Sequence, residues 1–111
     1  MLVVESRGEV QVRFRFTEKS LELLYTQGAG AAKLPSEVVN AFMRRVRHIE
    51  AAKDERDLRV PPSVHYERLK RTYKGKDSMR LNREWRLIVS VKEDRQGKYV
   101  VIHEINNHYG D

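Results

Sequence analysis

The last third of the chain most constrains the fold, because it reads as consecutive strands. In SMRLNREWRLIVSV, residues 78–91, apolar and polar side chains alternate around a polar turn, with Trp85 and Leu87 on one face and Arg86 on the other. Alternation with a period of two is typical of a strand that buries one face. The same pattern, with the polar loop KEDRQGK, predicts three strands in a hairpin-connected series. They cover residues 77–82, 85–92 and 98–106.

A first strand and two helices precede this series. Alternation in EVQVRFRF predicts a strand at residues 9–16. The segment TEKSLELLYTQG predicts a helix with Thr17 as its N-cap and Gly28 at its end. In LPSEVVNAFMRRVRHIEAAK, residues 34–53, apolar side chains recur at helical spacing after Pro35, which predicts a longer amphipathic helix.

The order of these elements predicts the fold class. Residues 54–64 contain Pro61 and Pro62 and predict a loop, and HYERLKR, residues 65–71, predicts one short helical turn. A chain of 111 residues suits one domain. We therefore predict a single α+β domain over residues 1–111, with two N-terminal helices packed on one face of a twisted antiparallel sheet. The other face would be free for a ligand.

The positive charge of the chain is concentrated in one segment. Residues 65–86 hold eight basic and three acidic side chains, a balance of +5 against +6 for the whole chain. A local basic surface attracts polyanions such as nucleic acid. A solvated face of mixed charge is the other interpretation of this segment.

Composition excludes several kinds of site. The chain has no cysteine, and hence no disulfide framework and no thiolate metal site. No apolar run approaches the ~18–20 residues of a membrane span, and the N-terminus lacks the pattern of a signal peptide. His103 and His108 are five residues apart, which predicts opposite faces of one strand. We expect no metal, no cofactor, no membrane partner and a cytoplasmic location.

Three segments resemble one known family. They are LPSEVVNAFMRRVRHIEAAKDERDLRVPP, then LKRTYKGKDSMRLNREWRLIVSV, then a closing strand that ends in His108 and Tyr109. The sharpest part is the hairpin SMRLN followed by a Trp-Arg pair. Together they resemble the RelE/HigB superfamily of toxins from type II toxin–antitoxin systems, with the HigB branch most similar. The resemblance runs from about Leu23 to the end, and residues 1–8 would be an addition before the family's usual first strand.

The resemblance implies a RelE-like fold and a toxin that inhibits translation. Toxins of this kind enter the ribosomal A site and cut mRNA by attack of the RNA 2′-hydroxyl on the adjacent phosphate. The implied activity is that of a metal-independent endoribonuclease, an mRNA interferase, and the implied partners are a cognate antitoxin, the ribosome and mRNA. Two alternatives remain open: a non-catalytic RNA- or ribosome-binding relative, and a gyrase-inhibiting toxin like the ParE branch.

Three cations are candidates for contact with the reacting phosphate. Arg86 follows Trp85, so it projects away from the apolar face, and a planar guanidinium can bind two phosphate oxygens at once. The resemblance gives the arginine of this Trp-Arg pair a phosphate contact and matches Lys70 to a lysine beside the scissile phosphate. Arg80 lies on the neighbouring strand with the right parity to share the contact. An ordinary surface cation is the alternative interpretation of each.

Proton transfer is assigned to the end of the chain. His108 and Tyr109 stand where the family has a Tyr-His pair after an aspartate, and Asn107 replaces that aspartate. Histidine is the side chain that titrates nearest neutral pH. A histidine before the family's Leu-Lys pair is replaced here by Glu67. Further side chains are expected to hold the RNA, mostly by its backbone and in one case by stacking of a tyrosine on a base. They are Arg68, Arg71, Tyr73, Lys74, Lys76 and Arg83.

Overall fold

Two helices and a five-stranded sheet form the framework of the chain. The computed structural model describes residues 12–107. The elements of this part are β1 (Arg13–Phe16), α1 (Lys19–Gln27), α2 (Ser36–Ala51), β2 (Glu67–Arg68), β3 (Asp77–Arg80), β4 (Arg86–Asp94) and β5 (Gly97–Asn106). Short 3-10 turns lie at Ala31–Lys33, Glu55–Arg59, Pro62–Val64 and Arg71–Tyr73. The predicted α+β class is confirmed.

The sheet is mixed rather than purely antiparallel. Its strand order is β1-β5-β4-β3-β2, and the predicted series β3-β4-β5 pairs antiparallel throughout. β1 instead runs parallel to β5, with Arg13 opposite Tyr99. Parallel neighbours need a long crossover connection, and the two helices that follow β1 begin that connection. The alternation of β1 predicts a strand but carries no information on the direction of its partner.

Both helices end or begin close to the predicted positions. α1 ends at Gly28, which adopts a left-handed conformation with φ 71° and donates its N–H to the carbonyl oxygen of Leu24 at 3.0 Å, as predicted. The N-cap is Glu18 and not Thr17. The Thr17 hydroxyl donates instead to the carbonyl oxygen of His103 at 3.1 Å. This contact ties the end of β1 to β5.

The core lies between the helices and one face of the sheet. α2 contributes side chains that are fully buried, and the sheet contributes others from β3, β4 and β5. They include Phe42, Val46, Ile49, Met79, Leu87, Val89 and Ile102. Trp85 is half-buried and packs against the same cluster. The predicted packing of two helices on one face is therefore confirmed.

The predicted helical turn at residues 65–71 is wrong. Glu67 and Arg68 form β2, a two-residue edge strand that pairs with Ser78 and Asp77 of β3. The helical conformation is interrupted before it by His65, which has φ 44°. A single 3-10 turn does form, but it comes after β2. Pairing with β3 satisfies backbone groups that an isolated turn would leave to water.

Some predictions fall on residues outside the described part of the chain. They concern the N-terminal addition at residues 1–8, the start of the strand predicted at 9–16, and the pair His108 and Tyr109. Within residues 12–107, neither helix has the length and apolar character needed to cross a membrane.

Candidate functional site

The sheet presents one face that the helices do not cover. Residues opposite each other on neighbouring strands project to the same side. Arg86 lies opposite both Arg80 and Asn106, and Ile88 lies opposite Glu104. Neither Arg86 nor Ile88 belongs to the core cluster beneath the helices. We call this side the helix-free face.

A β-bulge in β5 reverses the alternation of side chains on this face. Ile88 pairs with Glu104, but Val89 pairs with Ile102, so no residue of β4 lies directly opposite His103 in the register of the two strands. The extra residue places Glu104 on the helix-free face and Ile102 in the core. Strict alternation would have put these two on the same side. The prediction that His103 and His108 lie on opposite faces of one strand assumes strict alternation, and the bulge interrupts that alternation.

Arg86 lies on the helix-free face, as its position after Trp85 predicts, but it is buried. Only 4% of its surface is exposed. Its Nε donates to the Ser78 hydroxyl at 2.6 Å, and Nη2 donates to the backbone carbonyl of His65. Nη1 lies 3.7 Å from Oε1 of Glu67. The guanidinium is not open to solvent, because the segment from His65 to Glu67 folds over it.

Arg80 lies beside Arg86 on the neighbouring strand and is half-buried. Its Nε donates to the carbonyl oxygen of Asn82 at 3.2 Å, which directs the guanidinium along the hairpin turn. Its own carbonyl oxygen accepts a hydrogen bond from Nε of Arg45 on α2 at 2.9 Å. Burial lowers the pKa of Arg45, with a smaller contribution from the charge of Arg44. The predicted parity of Arg80 and Arg86 is confirmed by their direct pairing.

A loop at residues 69–76 presents most of the predicted RNA-binding cations; we call it the basic loop. It is closed at its base by a hydrogen bond from the N–H of Leu69 to the carbonyl oxygen of Lys76 at 2.9 Å. Leu69 is buried, whereas Lys70, Arg71 and Lys74 are exposed. Lys70 is the N-cap residue of the 3-10 turn in this loop, and its side chain is exposed to solvent.

Tyr73 reaches from the basic loop across the sheet to β5. Nδ2 of Asn106 donates to its hydroxyl oxygen at 2.8 Å, and that hydroxyl lies 3.5 Å from Oε1 of Glu104. Its ring is half-buried, with Nζ of Lys76 at 6.0 Å from the ring centroid. The basic loop therefore crosses above β4, which agrees with the full burial of Ile88 on this face. The predicted stacking tyrosine is anchored to the sheet through its hydroxyl.

The two remaining predicted RNA-binding residues lie outside the basic loop, and Arg68 is not on the helix-free face. It lies opposite Asp77, which lies opposite Val89 of the core, so Arg68 projects to the helix-covered side of the sheet. Arg68, on β2, has its Nε 3.8 Å from Oδ1 of Asp77 and is largely exposed. Arg83 is exposed at the tip of the β3–β4 hairpin. The hairpin is stabilised by Asn82, whose side-chain oxygen accepts from the N–H of Trp85 at 2.8 Å.

His103 is a titratable group on the helix-free face that sequence reasoning did not select as a site residue. Its Nε2 hydrogen-bonds to the hydroxyl of Ser90. Burial lowers the pKa of His103 from its usual value of 6.5, and the charges of Lys76 and Lys92 lower it further. The ring is thereby held neutral at physiological pH. Within residues 12–107 no three His, Cys, Asp or Glu side chains come together as a metal site would require.

Comparison with known proteins assigns the chain to a family. Residues 14–109 match the HigB-like toxin family, described as the RelE-like toxin of the type II toxin–antitoxin system HigB. The chain belongs to this family. Toxin HigB-1 of Vibrio cholerae serotype O1 is 38% identical over 73 residues, 66% of this HigB-like toxin and 77% of that protein.

Two further comparisons agree with the assignment of this HigB-like toxin. An uncharacterised protein of Haemophilus influenzae is 29% identical over 99 residues, which span 89% of each chain. A chain of the YoeB–YefM complex from Staphylococcus aureus matches in structure with a TM-score of 0.53 and 21% identity. That match covers 90% of this chain and 100% of the other, and it supports the RelE-like fold.

Proposed function

We propose that this HigB-like toxin is an endoribonuclease that cuts mRNA in the ribosomal A site and so inhibits translation. The observation that carries the proposal is the meeting of the basic loop and Arg86 on the helix-free face. A sheet face with cations from two separate segments is suited to a polyanion. Membership of the HigB-like family supports the same activity.

The reaction requires charge stabilisation at the phosphate and two proton transfers. Attack of a 2′-hydroxyl on phosphorus builds negative charge on the non-bridging oxygens, and preorganised cations stabilise it. Arg86, Lys70 and Arg80 are the cations we assign to this role, without a metal or other cofactor. Lys70 is already exposed. Arg86 binds phosphate by exchanging the carbonyl oxygen of His65 for a phosphate oxygen, which requires the short strand β2 to move.

The other proposed contacts position the RNA and transfer protons. Arg71 and Lys74 of the basic loop, Arg83 at the hairpin tip and Arg68 on the edge strand β2 contact backbone phosphates of mRNA or ribosomal RNA. Such contacts hold the substrate but carry no sequence information. His108 and Tyr109, which follow Asn107 in the sequence, remain our assignment for proton transfer in this reaction.

The partner we propose is a cognate antitoxin that binds and neutralises the toxin in the cytoplasm, where its ribosomal target lies. The match to a chain of the YoeB–YefM complex supports a partner of this kind. A surface with a balance of +5 over residues 65–86 favours an acidic segment on the antitoxin.

The test is primer extension on an mRNA in a reconstituted bacterial translation reaction, with and without ribosomes. We expect cuts with the wild type only when ribosomes are present. Arg86→Ala should cut about 10²–10³-fold more slowly, since one preorganised phosphate-stabilising group is lost. Absence of cuts in an active translation mixture would contradict the proposal.

A non-catalytic relative that binds the ribosome is the second candidate function. One observation favours it: Arg86 is occupied by partners from its own chain, among them Ser78 and Glu67. This candidate predicts ribosome binding by the wild type without any cut product in the same reaction. A supercoiling assay with purified gyrase, run in parallel, tests the gyrase-inhibiting alternative.

A further inference from the structure

We propose that Tyr73 is a catalytic residue of this site and passes the proton of the RNA 2′-hydroxyl to Glu104. The inference rests on the proposed endoribonuclease function and deepens it. It replaces a stacking role for the Tyr73 ring by a chemical role for its hydroxyl. Glu104 acts through Tyr73, and Asn106 positions both by hydrogen bonds to each of them.

The hydrogen bonds around Tyr73 fix the direction of its hydroxyl proton. Asn106 donates from Nδ2 to the Tyr73 hydroxyl oxygen at 2.8 Å and to Oε1 of Glu104 at 2.5 Å. An amide nitrogen carries two hydrogens, so it can make both bonds. Because the tyrosine oxygen already accepts from Asn106, its own hydrogen is directed to Glu104, 3.5 Å away. Contacts of this length often tighten when substrate closes the site.

The network lies beside the proposed phosphate site. Asn106 is the residue directly opposite Arg86 across β4 and β5. Side chains of such a pair are close neighbours, with Cβ atoms about 4.5–5.5 Å apart. A phosphate held by Arg86 would therefore place its neighbouring ribose within reach of the Tyr73 hydroxyl.

The proton transfer balances without any further reactant. The 2′-hydroxyl proton moves to the Tyr73 oxygen while the Tyr73 proton moves to a carboxylate oxygen of Glu104. The 2′-oxygen then forms its bond to phosphorus. The bond from phosphorus to the 5′-oxygen breaks, and that oxygen keeps the electron pair and takes a proton from the general acid of the site. Glu104 afterwards returns its proton to solvent.

Two other groups on the helix-free face are weaker candidates for the same step. His103 hydrogen-bonds to Ser90, which is four residues along β4 from Arg86, a separation of about 13 Å at ~3.3 Å per residue. Glu67 lies near Arg86, with its carboxylate 3.7 Å from Nη1, but it contributes to holding the guanidinium in place. Only Glu104 is hydrogen-bonded, among these three, to a hydroxyl that can face the ribose.

The experiment compares single-hydroxyl and single-charge variants in the ribosome-dependent cleavage reaction, with ribosome binding measured alongside. Tyr73→Phe keeps the ring and its stacking but removes the hydroxyl. Tyr99→Phe is the matched control, because Tyr99 lies on the same face beneath Arg13 and Arg15, opposite Lys92. Glu104→Gln and Glu67→Gln remove one carboxylate charge each.

We expect Tyr73→Phe to cut about 10²–10⁴-fold more slowly with unchanged ribosome binding, which is the range for a lost proton-transfer group. Tyr99→Phe should cut like the wild type. Glu104→Gln should be slow, and the fall in rate that we expect for the wild type at acidic pH should be absent from this variant. A merely structural carboxylate would not change the shape of this pH profile.

Three outcomes overturn the inference. If Tyr73→Phe cuts like the wild type, the ring and not the hydroxyl matters. If the acidic limb of the pH profile disappears in Glu67→Gln and persists in Glu104→Gln, the proton goes to Glu67. Both results leave the proposed function standing. If the wild type itself cuts nothing, the proposed function fails and the inference fails with it.

Discussion

Arg86 shows how one side chain can be both part of a fold and part of a site. The residue is 4% exposed, and its guanidinium donates to a serine hydroxyl and a backbone carbonyl of its own chain. If this charged donor is removed, the buried oxygen atoms that accept its hydrogen bonds are left unsatisfied. The residue that we propose to bind phosphate therefore also fastens β2 to the sheet.

Arg86→Ala should lower the free energy of unfolding by about 1–3 kcal/mol, the cost of a buried polar group left without its partner. Arg83→Ala is the matched control, since Arg83 is exposed in the hairpin and should change stability by no more than about 0.5 kcal/mol. Urea unfolding of both variants measures the difference. Equal stabilities would show that Arg86 is not holding the segment above it.

Tyr66 should make the protein less stable at alkaline pH. Its hydroxyl donates to Oδ2 of Asp77 at 2.6 Å, and burial together with that carboxylate raises the pKa of Tyr66 above its usual value of 10.0. In the unfolded chain the phenol ionises from about pH 10, while the folded state keeps its proton. The stabilisation is thus complete below pH 10 and decreases as the pH rises above it.

Chemical denaturation between pH 8 and pH 11 measures this dependence. The free energy of unfolding should fall above pH 10 in the wild type and fall less steeply in Tyr66→Phe. Part of this pH dependence should remain in Tyr66→Phe, because burial and the Glu50 carboxylate also raise the pKa of Tyr25, to about 12. An unchanged slope in Tyr66→Phe would contradict the assignment.

At the scale of elements, the segment between α2 and β3 decides what the helix-free face can do. β2 has only two residues, and the basic loop that follows is closed by one backbone hydrogen bond between Leu69 and Lys76. Within the loop, Gly75 has φ 88°, a left-handed conformation that costs other residues about 1–2 kcal/mol. Loop geometry therefore depends on this glycine.

Gly75→Ala should destabilise the protein by about 1 kcal/mol and slow mRNA cleavage, because the loop that carries Lys70 and Tyr73 shifts. The space around Gly75 is open, so the effect comes from the backbone and not from a clash. Gly75→Asn is the matched variant, as asparagine tolerates the left-handed conformation better. Thermal unfolding and the cleavage assay should both rank the asparagine variant above the alanine variant.

Periodic elements could be predicted from the sequence, and elements without a period could not. The strands β3, β4 and β5 and the helix α2 carry long repeating patterns, and the structure places them within a few residues of the prediction. β2 is too short to show alternation, so its segment was predicted as a helical turn. The bulge at His103 has no signal in the pattern, and it is what brings Glu104 to the helix-free face.

The side of the sheet on which Arg80 and Arg86 lie was predictable from the sequence, but the burial of Arg86 was not. Parity alone places Arg80 and Arg86 on one face, and this is confirmed. The burial of Arg86 depends on His65 and Glu67, which lie about twenty residues earlier and fold over it only in the tertiary structure. The network of Tyr73 with Asn106 likewise joins residues 33 positions apart.

At the scale of the whole molecule, the helices cover one face of the sheet, and the basic loop and Arg86 lie on the other. The chain carries a formal charge of +6, and most of the excess lies in residues 65–86. Binding of such a surface to RNA releases counterions and weakens with salt.

Ribosome binding should therefore weaken steeply as salt is raised, and Lys74→Ala should reduce the logarithmic salt slope by about one. Lys74 is an exposed cation of the basic loop. Lys53→Ala, which removes an exposed lysine after α2, should leave the slope unchanged. Equal slopes for the wild type and Lys74→Ala would place the RNA on a different surface.

The central claim is that the helix-free face cuts ribosome-bound mRNA, and the most direct test is the cleavage rate of Lys70→Ala beside Lys53→Ala. Both lysines are exposed, so neither substitution should disturb the fold. We predict that Lys53→Ala cuts like the wild type and that Lys70→Ala cuts at least tenfold more slowly. Equal rates for all three proteins would contradict the claim that the reacting phosphate lies on this face.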